Sequence, residues 1–173
     1  VEFRSLSSES ATMIRNLRFE YSAPQITDSV IGEIAPAVDV MAGIDTTFSM
    51  ALKADLGAGN NGFNRLQVFT PARVTDIQSI TIDDGDGEVQ TLVRGEDETA
   101  EEGEFSALFV NDDQFVLGFP TIAPSDDGTD REAVVKVDFR ARVIDFRTNF
   151  SANVFLDTLS VDLQRRFTSN GIL

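Results

Sequence analysis

The chain contains no cysteine, no histidine and no tryptophan. Without cysteine no disulfide can close and no thiolate can attack a substrate. With histidine missing too, zinc sites built on Cys or His are excluded. So are a Ser-His-Asp triad and an imidazole base titrating near neutrality. Lys53 and Lys136 are the only lysines, the remaining bases being arginine. Tyr21 is the single tyrosine beside 14 phenylalanines. Sugar-binding modules usually stack rings on Trp or Tyr, so this aromatic set points to a phenylalanine core rather than a sugar platform. No run is long and apolar enough to cross a bilayer as a helix, and membrane insertion is not expected.

What abounds is negative charge. There are 29 acidic residues against 14 basic ones, a formal net charge of -15. Such a surface is repelled by nucleic acid and by anionic membranes, so neither is expected as a partner. Few lysines and many carboxylates suit concentrated salt, where mutual repulsion is screened within a few ångströms. A calcium-rich or simply acidic extracellular surface fits equally well. At 173 residues the chain is long enough for one domain with a real core. It starts at Val1 without a signal-peptide pattern and reads as a piece of something longer. Its oligomeric state is not legible.

The dominant period is two. In "TTFSMALKA" Phe48, Met50, Leu52 and Ala54 share one face, with Thr47, Ser49, Ala51 and Lys53 opposite. In "VVKVDFRARVI" Val135, Val137, Phe139, Ala141 and Val143 alternate with Lys136, Asp138, Arg140 and Arg142. That alternation is the mark of strands with one dry and one wet face. Further strands are expected at 13–21, 64–70, 77–82, 88–94, 104–110, 114–119, 149–156 and 159–167. Turn-rich stretches such as "GAGNNG", "DDGDG" and "APSDDGTD" separate them. The sequence therefore predicts an all-β fold, an antiparallel β-sandwich of immunoglobulin-like or jelly-roll-like type. About ten strands are expected, with little helix beyond a turn near residues 5–13.

Two stretches read as seams. Residues 22–38 hold two Ala-Pro steps, which disfavour helix before each proline. The expected division is an N-terminal strand and connector over 1–37, packed on a sandwich over 38–173. Residues 95–104, "GEDETAEEGE", carry six acids and no base and are expected as a solvated hairpin tip. The strand face of Lys136, Arg140 and Arg142 either pairs with acidic neighbours across the sheet or stays solvated.

The most motif-like stretch is "IDDGDGE", residues 82–88. A helix-loop-helix calcium loop needs ligands at positions one, three and five, glycine at six and a bidentate acid at twelve. Counted from Asp84, Val89 falls on the glycine and Gly95 on the acid, so the spacing fails. A tight hairpin turn is the better reading, because Asp-Gly supplies the positive φ angles such turns require. Calcium held between loops remains the alternative. Asp83, Asp84 and Asp86 with Asp126, Asp127 and Asp130 are its candidate ligands if their turns meet, joined by residues 111–113. No other cofactor is expected. Carboxylate catalysis needs two acids flanking one bond in a cleft, and most acids here sit in turns. "GAGNNG" lacks the following helix that a phosphate-binding loop uses, and reads as a flexible connector.

Residues 44–157 combine a polar strand ending in a Gly/Asn loop, the strand "LQVFTP" and the late strand "VDFRARV". This combination resembles immunoglobulin-like or cohesin-like β-sandwich modules of large bacterial surface or secreted proteins. The resemblance implies a non-catalytic extracellular or cell-surface module acting in structure, adhesion or assembly. Its partners would be neighbouring modules of the same chain or another surface protein. A calcium- or glycan-binding module using the acidic turns is the alternative. The dockerin-recognition signature of cohesins is missing, and no active site is implied.

Overall fold

The computed structural model describes residues 25–70, 72–96, 101–145 and 147–157, and the backbone of 167–168. The strand expected over 13–21, all but the last residue of the one expected over 159–167, the helical turn near 5–13 and Tyr21 lie outside the described residues. Within them the fold is all-β, without helix. Ten strands are present: β1 (Ser29–Ala35), β2 (Asp45–Leu56), β3 (Phe63–Phe69), β4 (Arg73–Asp83) and β5 (Val89–Arg94), followed by β6 (Glu104–Val110), β7 (Gln114–Ile122), β8 (Arg131–Arg142), β9 (Ser151–Phe155) and β10 (Phe167–Thr168).

The two cleanest alternating stretches became the two longest strands. β2 and β8 pair antiparallel from Asp45↔Arg142 to Leu56↔Arg131 with no register shift. A slip of one residue would turn every apolar side chain outward, so burial itself enforces the register. β4 is less regular: its buried residues are Val74, Ile77, Ile80 and Ile82, and register shifts interrupt its pairing with β8 between Val74 and Asp76 and between Ile77 and Ser79. Each extra residue breaks the period of two. This is why only residues 77–82 of that strand stand out in the sequence.

The strands form one sheet in the order β1-β2-β8-β4-β5-β6-β7-β3-β9-β10. The sheet is mixed and continuous, unlike two separate antiparallel layers. β5 and β6 run parallel, pairing Val93 with Glu104 and Arg94 with Phe105, and this short contact joins two five-strand halves. The acidic stretch 95–104 thus connects parallel strands and is not a hairpin tip. The halves fold over one core: Phe139 of β8 meets Phe115 of β7 with centroids 5.2 Å apart, although several strands separate them along the sheet. Phe48 of β2 likewise meets Phe150, just before β9, at 5.4 Å. A fully buried phenylalanine contributes about 1.5–3 kcal/mol by leaving water, so these rings dominate the interior. β1 and β10 stand at opposite ends of the sheet order, so the sheet curls toward a barrel without closing. Ser29–Ala35, within the stretch expected as a connector, forms β1 and pairs with β2 over all seven residues.

Candidate functional site

The acidic turns fall at two ends of the molecule. In the β4–β5 turn, Asp83 Oδ1 accepts from the Gly85 N–H (3.0 Å) and Asp84 Oδ1 from the Asp86 N–H (3.0 Å). Gly85 has φ 85°, and a β-carbon there would run into the Glu132 carbonyl oxygen, so the hairpin tip lies directly on the start of β8. Asp86 reaches across to Arg131 Nη1 at 2.7 Å. The 83–87 turn therefore meets the first residues of β8, just after the 125–130 turn, and what it finds there is a guanidinium. Asp127 Oδ1 accepts from the Ser125 hydroxyl and from both the hydroxyl and the N–H of Thr129. The Thr129 hydroxyl is the main cause holding its carboxyl below the usual value. Asp126 and Asp130 are exposed; a β-carbon on Gly57 would lie 3.6 Å from Asp130 Oδ1.

The turn at 111–113 sits at the far end. Asp112 pairs with Arg73 at the start of β4, whereas Asp83 closes that strand. Ten strand steps between them span roughly 33 Å. The three acidic turns do not converge, and among the described residues no group of three or more acids is placed to hold a metal ion. The "GAGNNG" connector is pinned rather than loose: the Asn61 and Gly62 N–H groups donate to the carbonyls of Gln25 and Ile26, and Asn60 Nδ2 donates to Asp28.

A feature the sequence did not flag lies on the outer face of β2, β8 and β4. Asp138 accepts from Ser49 (2.5 Å) and Ser79 (3.1 Å) on the flanking strands, and Lys136 is 3.3 Å away. Burial alone would raise its pKa, but the hydrogen bonds from Ser49, Ser79 and Lys136 together hold it below the usual value. Arg142 forks onto Asp45 through Nε and Nη2 at 3.0 and 3.3 Å. Much of the basic face thus pairs within the sheet.

One group of exposed apolar residues lies elsewhere. Loop 36–44 between β1 and β2 folds against residues 143–145 after β8, tied by the Gly43 N–H donating to the Val143 carbonyl (2.8 Å). Val38, Met41, Ile44 and Ile144 are 73, 66, 50 and 70% exposed. Val38 lines a cavity of about 330 Å³ whose walls also include Ile34, Pro36, Val40, Phe48, Val143 and Phe150, and the other three lie on the same two segments without lining it. Asp39, in the same loop, holds a left-handed backbone (φ 61°) that few non-glycine residues adopt. Asp39 and Asp145 bring two exposed carboxylates to an otherwise largely apolar wall. Scattered apolar residues are normal on a surface, but a group of them on two joined loops beside a concavity is a candidate contact site. Periodicity could not show it, because these residues lie in loops.

A second depression, of about 510 Å³, lies over β3, β7 and β9. Arg65 crosses Gly118 there, where a β-carbon would collide with the guanidinium, and pairs with Asp157 at 3.0 Å.

No protein-family model matches the chain, and no curated protein does.

Proposed function

We propose that this chain is a non-catalytic extracellular module of a larger bacterial protein, docking neighbouring modules or another surface protein through its apolar end. The observation that carries the reading is the exposed group Val38, Met41, Ile44 and Ile144 on the two segments, 36–44 and 143–145, that also wall the 330 Å³ cavity. Four large side chains in water at one end represent apolar area that only a partner would cover. The curled all-β sheet is compatible with a variant of the immunoglobulin-like or cohesin-like sandwich, a framework that presents loops at its ends. Fold alone does not assign the task, so the reading stands on the site.

Catalysis is the weaker reading. The carboxylates at the cavity, Asp39 and Asp145, are both exposed, and the chain has no histidine or cysteine to act as base or nucleophile. The calcium alternative has less support because Asp86 is engaged by Arg131 and the third turn is remote. The test is a titration of the isotope-labelled chain with the module that adjoins it in its parent protein. Amide shifts concentrated at 36–44 and 143–148, and lost in Met41→Ser/Ile144→Ser, are expected. Binding that maps elsewhere would sink the proposal.

A further inference from the structure

We propose that β1 is a docking edge: it accepts an extended, cationic segment of a partner protein as an added strand, with one apolar side chain of that segment seated in the adjoining cavity. The inference deepens the docking reading above and rests on it.

β1 is the terminal strand of the sheet order; β2 pairs with one side, and among the described residues nothing pairs with the other. Its seven residues hold an unbroken register with β2, and none is fully buried. Natural edge strands are usually guarded by lysine, proline, a bulge or shortness. "SVIGEIA" has no lysine, proline or bulge, its one charge is Glu33, and it carries Ile31 outward at 60% exposure. Val30 and Ile34, on the opposite face, pack against the core while staying partly open. A strand laid beside them would extend the covered apolar surface and pair backbone groups that have no partner strand among the described residues. Strand addition of this kind takes its affinity from the main chain and its specificity from alternate side chains.

Charge selects the occupant. From Asp28 to Asp39 there are three acids, Asp28, Glu33 and Asp39, and no base. The closest base on β2, Lys53, is held by Glu132 at 2.6 Å. A second copy would bring a net charge of -15 against -15. A segment alternating apolar residues with lysine or arginine matches the edge instead. The cavity adds an anchor, because Ile34 at the end of β1 and Pro36 just beyond it form part of its wall. A segment following β1 to its end arrives at that opening.

The test titrates the full isotope-labelled chain with a synthetic peptide of about ten residues alternating valine and lysine, with a terminal leucine, enough to span β1 and the cavity mouth. A second peptide carries glutamate for lysine. Saturable binding with amide shifts along Ser29–Ala35 is expected. Ile31→Lys, at an exposed position, should keep the free spectrum and weaken binding at least about tenfold, as should the glutamate peptide. Shifts confined to 36–44 and 143–148, indifferent to Ile31→Lys, would overturn the edge while leaving the apolar end as a docking site. Equal binding of both peptides would overturn the cationic occupant. Failure of the lysine peptide to bind, or peptide-independent dimerisation abolished by Ile31→Lys, would overturn the proposal outright.

Discussion

Asp86 and Arg131, 45 residues apart in sequence, meet at 2.7 Å where the β4–β5 turn crosses the start of β8. Arg131 is 12% exposed at its side chain and Asp86 58%, so the pair is half sheltered. The contact gives one carboxylate of a stretch that looks like a metal loop a fixed cation of the protein's own.

Calcium should therefore leave the protein's melting temperature unchanged relative to chelator. A specific ion at a hundred times its Kd would add about 2.7 kcal/mol, so a rise of several degrees would restore the metal reading. Asp86→Ala should cost about 1 kcal/mol in a denaturant titration, the scale of a partly exposed pair. Gly85→Ala should cost more, about 1–3 kcal/mol, since it strains a positive φ and drives a methyl group into the Glu132 carbonyl.

Asp138 provides a pH signature. Its carboxyl is held below the ordinary value of 3.8, so the unfolded chain binds the proton more readily than the folded one. Its contribution is complete above the ordinary value and is lost as pH falls through the folded one. Asp138→Asn should destabilise the protein at neutral pH by about 1 kcal/mol for each weakened hydrogen bond. The gap between variant and parent should close below pH 3.8. A gap that stays constant down to pH 2 (roughly two units below a free aspartate) would show that the Ser49 and Ser79 bonds do not favour the ionised form.

Core and end should respond oppositely. Phe139 contacts Phe48, Phe115 and Phe150, so Phe139→Ala should cost about 3–5 kcal/mol. Met41→Ser, at 66% exposure, should change stability by less than about 0.5 kcal/mol while weakening partner binding. Chemical denaturation of both variants checks this. A large loss at Met41 would make the apolar end part of the fold's own core.

With a net charge of -15, the protein should gain melting temperature as sodium chloride rises from about 0.1 to 2 M, because screening relieves self-repulsion. Thermal melts across that range decide it; indifference to salt would count against an origin in a salty environment.

Much of the architecture was legible because alternation is a local signal with a global cause. β2, β3 and β8 stand out in the sequence since each has a face turned to the core, and absent residue types removed whole classes of chemistry without any coordinates. β4 is only half legible because bulges break its period, and β1 is hidden because a glycine and two flanking prolines blur it. The parallel joining of β5 to β6, the 45-residue reach from Asp86 to Arg131, the Asp138 cluster and the apolar end all depend on which strands become neighbours. Residue types and spacing set which faces must be buried. Chain-distant contacts are chosen only when those faces close over one another, because the free energy of burial belongs to the whole core and not to any segment.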